Sequence, residues 1–169
     1  RIFMSHRNTF FFTLAAVLGL LSACSPQPEA PAPETALTAP PELTVTVGNQ
    51  SCTALRGGWS WTIREGEDQY SSTISDSAHP LDCQEMTPQL TAAESQALLS
   101  FPLEPDALTA QCWPESSWGD VSAQGEEAAV EGDALTLNPG GWIYEIRASW
   151  DRMPDFEGNS SYTVLIRME

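Results

Sequence analysis

Lysine is absent from this 169-residue chain, and its seven basic residues, all arginine, are outnumbered by 23 acidic ones. Every acidic residue follows Cys24 but only five arginines do, so this part of the chain carries a net charge of −18. A field of that sign repels phosphate backbones and anionic lipid headgroups. The composition therefore argues against nucleic acid as a partner and against a basic membrane-contact patch.

Histidine and cysteine are scarce as well. His79 is the single histidine after Cys24, and the later cysteines, Cys52, Cys83 and Cys112, form no Cys-x-x-Cys pair. Because structural zinc sites use closely spaced cysteine and histidine ligands, we expect no metal and no cofactor. The Gly-x-Ser-x-Gly turn that presents a hydrolase nucleophile is also missing. We therefore predict a non-enzymatic protein with no catalytic residue.

The sequence has a single long hydrophobic run, the twelve residues 10–21. This run is too short to cross a bilayer as a helix, and with the short basic segment before it the arrangement is typical of an export signal. It ends in Leu21-Ser22-Ala23-Cys24, which resembles the lipobox of bacterial lipoproteins. The resemblance implies that residues 1–23 are a signal peptide and that Cys24 becomes the lipidated first residue. It also implies attachment to the lipid bilayer on the extracytoplasmic face of the cell membrane.

The composition changes again after the lipobox. Residues 24–42 are rich in proline, alanine, glutamate and threonine and show no apolar periodicity, which is typical of an extended linker. We interpret this segment as a disordered, proline-rich tether. The remaining residues, 43–169, have the length of one ordinary domain.

From residue 43 onward apolar and polar residues alternate, which predicts half-buried strands. The pattern is clearest over Leu43–Val47, in a hairpin over 59–75, on both sides of a turn at 131–133, and over 142–150. No crossover helix is indicated. We therefore predict an all-β fold, an antiparallel sandwich of the immunoglobulin-like class.

The middle of the chain allows two interpretations. Residues 91–94, Thr-Ala-Ala-Glu, match a helix capping box. Alternation over 97–101 and again over 107–113 instead favours two strands that pair through a turn. We prefer the strand pair, because Pro102 and Pro105 leave little room for a helix.

Three segments carry a second resemblance: Ser75–Asp82, Cys112-Trp113-Pro114 with Trp118-Gly119-Asp120, and Pro139–Glu145 with Trp150. They are similar to parts of an uncharacterised lipoprotein family of clostridia and related Gram-positive gut bacteria. Similar modules follow membrane metallopeptidase segments as extracytoplasmic domains. The resemblance implies a β-rich extracytoplasmic domain and transfers no catalytic residue.

The odd number of cysteines after Cys24 is explained most simply by one disulfide and one free thiol. Because Cys52 and Cys83 both lie near predicted loops, we expect these two to pair. Cys112 is in phase with Leu108 and Ala110, so we expect it to be a buried free thiol. The alternative is three reduced cysteines that act as small hydrophobic residues.

Three further groups are candidate sites. The first is the cluster Asp76, Ser77, His79 and Asp82. Triads are assembled from separate segments, so we favour a turn in which Asp76 and His79 bond to the backbone. Trp113 and Trp118 flank a loop where aromatic rings can stack on a sugar or a peptide, the alternative being core positions. The last group is a loop in which oxygen-bearing side chains alternate, as they do loosely in calcium-binding loops. We prefer to interpret it as a solvated loop. Its members are Asp151, Asp155, Glu157 and Asn159.

These features favour a non-enzymatic, lipid-anchored binding module, with a sensing or accessory role towards an envelope protein or a cell-wall component. The alternative is a lipoprotein that captures a glycan, a peptide or a divalent cation.

Overall fold

A computed structural model describes residues 37–169. The expected signal peptide, the lipidated Cys24 and the first part of the tether lie outside the described residues. In the described part of the chain the fold is all-β, with two mainly antiparallel sheets in a sandwich-like arrangement. This confirms the predicted fold class, and the narrower immunoglobulin-like class stays a prediction. Residues 37–169 include no helix with the length and apolar character needed to span a membrane.

The strands of the described chain, in order, are β1 Thr44–Val47, β2 Gln50–Thr53, β3 Leu55–Arg64, β4 Tyr70–Ser75, β5 Gln89–Ala92, β6 Gln96–Ser100, β7 Ala107–Pro114, β8 Glu126–Ala128, β9 Val130–Glu131, β10 Ala134–Thr136, β11 Gly140–Trp150 and β12 Phe156–Met168. Short 3₁₀ turns at Pro80–Asp82 and Glu115–Ser117 interrupt the connections. The predicted hairpin over 59–75 is confirmed as β3 and β4. The predicted turn at 131–133 is confirmed between β9 and β10, where Gly132 has a φ of 62° that glycine adopts without strain.

The short sheet has the strand order β2-β1-β6-β10-β9, and the long sheet has the order β4-β3-β12-β11-β7-β8. The central ladder of the long sheet joins β11 and β12 over eleven antiparallel positions. One edge of β12 is shared, because β3 pairs antiparallel with its first part and β5 pairs parallel with its last four residues. The long sheet is therefore antiparallel except at β5.

The middle of the chain corrects one prediction. Strands form at β6 and β7, as preferred over the helix, but they do not pair with each other. β6 lies between β1 and β10 in the short sheet, whereas β7 pairs with β11 in the long one. Pro102 and Pro105 thus lie in a connection that crosses from one sheet to the other, where no ladder hydrogen bond is needed from them.

The main core lies between the sheets. On β11 the predicted alternation holds, since Tyr144, Ile146 and Trp150 are fully buried. The Trp150 ring meets the Trp61 ring edge to face at 5.5 Å. Burial of the phenol raises the pKa of Tyr144 to about 12, so that it stays neutral in the core. Aromatic pairs such as Trp61 and Trp150 stabilise a fold by about 0.5–1.5 kcal/mol beyond the contribution of their buried area.

A second, smaller core covers one end of the outer face of the long sheet. Its buried members are Leu81, Trp113, Ile143 and Leu165, with Trp118 packed against them. A hydrogen bond from the backbone N–H of Gly119 to the carbonyl of Leu81 joins the two covering segments at 2.9 Å. The small core therefore excludes solvent from this end of the outer face.

The last residues of the expected tether belong to the domain. The indole N–H of Trp61 donates to the carbonyl of Leu37 at 2.7 Å, and the hydroxyl of Tyr162 donates to the carbonyl of Pro41 at 2.6 Å. Pro40 and Pro41 are buried. The backbone carbonyls just before residue 43 therefore accept hydrogen bonds from core side chains.

Candidate binding groove on the outer face of the long sheet

Beyond the small core, the outer face of the long sheet is polar. Side chains at alternate positions of a strand share a face, so Glu145, Arg147 and Ser149 of β11 lie side by side there. In the pairing register Arg147 is opposite Ser161 of β12 and Thr109 of β7. The middle of this face therefore carries short hydroxyl side chains around one arginine and one glutamate.

These short side chains leave a shallow groove that crosses the strands. One cavity of ≈ 380 Å³ is lined by Gly58, Thr109, Glu145, Arg147 and Ser161, among others. An adjoining cavity of ≈ 210 Å³ shares Thr109 and Arg147 with it and reaches β8, and a third of ≈ 290 Å³ shares Ser161 and reaches β3. With strands about 4.8 Å apart, the path from β3 to β8 is roughly 19 Å long. We call this surface the outer groove.

Glu145 is the unusual residue of the outer groove, because its side chain is a nearly buried carboxylate with 8% exposure. Its Oε2 accepts a hydrogen bond from Gln111 Nε2 at 2.6 Å and another from Arg147 at 2.8 Å. Both bonds go to the same oxygen, and Oε1 accepts none from the described residues. Oε1 is also not a buried unpartnered atom, so it remains free to accept from a molecule in the groove.

Arg147 supplies the complementary donors. Its side chain is 59% exposed although one guanidinium nitrogen is held by Glu145. Guanidinium presents five N–H donors in a rigid fork, so most of them remain free. The acceptor oxygen of Glu145 and the donors of Arg147 lie two residues apart on one strand of a rigid sheet. This arrangement suits a ligand with neighbouring hydroxyl groups.

A larger cavity, ≈ 600 Å³, lies elsewhere, between β6, the 101–106 connection, the start of β7 and the β9–β10 turn. Its carboxylate Asp106 already accepts from the backbone N–H groups of Asp151 and Arg152, at 2.7 and 2.9 Å. These two hydrogen bonds lower the pKa of Asp106. The other oxygen of Asp106, Oδ1, lies 3.7 Å from Arg152 Nε, so both oxygens of this carboxylate have a partner in the loop. The outer groove therefore has the better free binding chemistry despite its smaller volume.

The two candidate tryptophans are not the exposed pair proposed from sequence. Trp113 is 2% exposed and its indole N–H donates to the carbonyl of Ala123 at 3.1 Å. It is a member of the small core, because the 3₁₀ turn around Leu81 covers that end of the sheet. Trp118 is half-buried, and its Nε1 is the one buried side-chain polar atom without a hydrogen-bond partner among residues 37–169.

The expected disulfide between Cys52 and Cys83 is wrong. Both cysteines are free, as is Cys112. Cys52 lies on β2 at the end of the short sheet, whereas Cys83 follows the 3₁₀ turn beside the long sheet, where its thiol contacts the carbonyl of His79 at 3.5 Å. Burial raises the pKa of all three thiols. Cys112 is completely buried, as predicted.

His79 bonds to the backbone of its turn, as favoured from sequence, whereas the Asp76 side chain makes no such hydrogen bond among the described residues. The Nδ1 of His79 accepts a hydrogen bond from the backbone N–H of Leu81 at 3.2 Å, which caps the 3₁₀ turn. The ring also meets Trp113 edge to face at 5.8 Å. In this position His79 helps to place Leu81 over the small core.

The calcium-like loop is largely absent. β12 begins at Phe156, so Glu157 and Asn159 are strand residues that pair with Thr62 and Ser60 of β3. Only Asp151 and Asp155 remain in the loop. Across the described residues, no group of three or more histidine, cysteine, aspartate or glutamate side chains could hold a metal ion.

The alternation over 142–150 places Glu145 and Arg147 on the polar face of β11. A signal was present, since two opposite charges at i and i+2 interrupt a strand of aromatic and aliphatic residues. It did not indicate that Glu145 is buried, because that depends on Gln111 and on the neighbouring small core. Comparison of the chain with protein-family models, curated proteins and solved structures finds no match to any of them.

Proposed function

We propose that this protein is a lipid-anchored, extracytoplasmic and non-enzymatic binding module, and that the outer groove binds a hydroxyl-rich ligand such as the glycan of the cell wall. The observation that carries the proposal is the pair of Glu145 and Arg147. A nearly buried carboxylate is costly for a fold, and here it retains a free acceptor oxygen beside free guanidinium donors.

Three observations support the ligand class. The floor of the groove consists of small residues, including Gly58, Thr109 and Ser161, which leave space for a flat or extended molecule. The groove is long enough for several repeating units. The net charge of −18 after Cys24 disfavours densely charged polyanions, and a glycan with few or no charges fits better.

The anchor is supported by the sequence up to Cys24 and by the tether that follows it. The residues Leu37 and Pro41, near the end of that tether, are held by core side chains. Mass spectrometry of the protein purified from its native membrane tests this part of the proposal. A diacylglyceryl adduct on an amino-terminal Cys24 is expected, and an unmodified Cys24 would overturn it.

Calorimetric titration with glycan-strand fragments of peptidoglycan tests the groove. We expect the wild type to bind and Arg147→Ala to lose at least about tenfold in affinity, since one charge-assisted hydrogen bond contributes about 1.5–3 kcal/mol. Arg152→Ala is the matched control, because its side chain is 81% exposed on a loop and the change in charge is the same. Equal affinities for the two variants, or no binding by the wild type, would contradict the groove as the site.

A further inference from the structure

The long sheet ends in an unusually open edge. β4 is its terminal strand on one side, with β3 as its only neighbour, and five of its six residues are exposed. The other strands of the described sheets that pair with a single neighbour have four residues in β2, four in β5, three in β8 and two in β9. β4 therefore presents the longest row of backbone N–H and C=O groups that lack a neighbouring strand.

The sequence of β4 does nothing to block this edge. It reads Tyr-Ser-Ser-Thr-Ile-Ser, with no charge, no proline and no glycine. Natural edge strands usually carry charges, prolines or bulges that prevent pairing with other chains. The opposite edge of the same sheet follows that rule, since β8 is short and contains Glu126 and Glu127. The absence of such protection at β4 indicates an edge that is used.

Two large apolar side chains stand on the same side of this strand. Tyr70 is 64% exposed and Ile74 is 76% exposed. They pair with Arg64 and Ser60 of β3, so both lie on the outer face with Ser72 between them. An added strand would place its own side chains opposite these two residues, and aromatic and β-branched cross-strand pairs are favourable.

Acidic residues bracket the uncharged strand. Glu67 and Asp68 precede it and Asp76 follows it, all of them exposed. A strand added along β4 would have its ends near these carboxylates. Charge complementarity therefore favours a segment with basic residues at both ends.

We propose that β4 accepts an added strand from a partner protein, namely an extended segment whose alternating apolar and hydroxyl residues are flanked by arginine or lysine. Backbone hydrogen bonds along the free edge supply affinity, Tyr70 and Ile74 supply apolar contacts, and the flanking carboxylates select the charge of the partner. The surface is separate from the residues that define the outer groove, so failure of glycan binding would not affect this proposal.

A second copy of the chain fits the edge less well. Two-fold antiparallel pairing about Ser72 would put Tyr70 opposite Ile74, which is favourable. The same register brings Asp68 of each copy towards Asp76 of the other, and each copy carries a net charge of −18 after Cys24. Like charges opposite each other on paired strands are destabilising, so we assign the edge to a basic partner.

A labelled synthetic peptide, Arg-Arg-Thr-Val-Thr-Val-Thr-Val-Arg-Arg, is the probe, titrated against the protein by fluorescence anisotropy at low salt. We expect binding that weakens about tenfold in Ile74→Lys, which adds a repelling charge and removes an apolar contact. Val121→Lys is the matched control, since Val121 is a β-branched apolar residue with 50% exposure away from the edge. Because both positions are exposed, both variants should keep the thermal midpoint of the wild type.

Hydrogen exchange distinguishes strand addition from general attraction to an acidic protein. On peptide binding the amides of β4 should exchange more slowly, and a peptide with glutamate in place of arginine should neither bind nor protect them. Equal weakening by the two lysine variants, or binding without protection of β4, would overturn the proposal. A dimer in sedimentation analysis with β4 already protected before peptide is added would also overturn it, in favour of a second copy.

Discussion

The two faces of the long sheet are built from the same strands but have different structures. The inner face is a continuous apolar layer against the short sheet, whereas the outer face is apolar at one end and polar at the other. On β11 the inner face buries Tyr144, Ile146 and Trp150, and the outer face changes within two residues from buried Ile143 to hydrogen-bonded Glu145. The comparison shows that a strand with one buried face still has a second face whose role depends on what covers it.

The largest expected effect lies on the inner face. Trp150→Ala should lower the free energy of unfolding by about 3–5 kcal/mol, because it leaves a cavity in the main core. It also removes the ring contacts with Trp61 and Phe101 and the hydrogen bond from the indole to the carbonyl of Leu103. Chemical denaturation measures the loss. Trp142→Ala, at a half-buried position on the same face of the same strand, should cost clearly less, and an equal loss would contradict this picture of the core.

The small core on the outer face should give a smaller and more local effect. Leu81→Ala removes one of its four buried members and should cost about 2–3 kcal/mol. Because the segment after Trp113 rests on this cluster, hydrogen exchange should accelerate there while the amides of β12 remain protected. Uniform acceleration in both regions would show that the two faces do not differ in local stability.

The difference between the faces also explains which features were predictable. Period-two alternation identified β1, the β3–β4 hairpin, the β9–β10 turn and the inner residues of β11, because one-sided burial leaves a direct trace in the order of residues. The pairing of β6 and β7 was predicted wrongly, since alternation indicates a strand but not its partner. The start of β12 was also missed, because polar Glu157 and Asn159 face solvent on a strand that looked like a loop.

The candidate site was less predictable than the fold. The burial of Glu145 depends on Gln111, 34 residues earlier in the chain, and on the small core at its side. The location of Trp113 in that core depends on the 3₁₀ turn that His79 caps. Neither relationship leaves a periodic pattern in the sequence, so the sequence alone did not decide between an exposed pair of tryptophans and core positions.

An ion pair that holds the cover of the small core should give a further, pH-dependent effect. Arg167 Nε donates to Glu115 Oε2 at 2.9 Å, and a second nitrogen bonds the other carboxylate oxygen. The hydrogen bonds from Arg167 lower the pKa of Glu115. The stabilisation is therefore complete above the unfolded-state pKa of a glutamate, about 4.3, and is lost as the pH falls through the lower folded-state value.

Glu115→Gln should accordingly cost about 1 kcal/mol at neutral pH, a modest value because both side chains are about one-third exposed. Unfolding measured at about pH 7 and again at about pH 2.5 should show the difference from the wild type shrinking at the lower pH. Glu42→Gln, at an exposed position, is the control. A difference that stays constant with pH would exclude the ion pair as its cause.

The smallest expected effect on stability is at the centre of the outer groove. Glu145→Gln keeps the shape of the side chain, and its amide oxygen can still accept the hydrogen bond from Gln111. Since a buried carboxylate loses solvation that its partners only partly replace, the free energy of unfolding should change by less than about 1 kcal/mol. Thermal and chemical unfolding measure this change. Affinity for glycan fragments should nevertheless fall, because the amide nitrogen of glutamine then takes the place of the free carboxylate oxygen and cannot accept a hydrogen bond. A loss of more than about 2 kcal/mol with unchanged ligand binding would assign Glu145 to holding the sheet together, and the polar end of the outer face would then be structural like the apolar end.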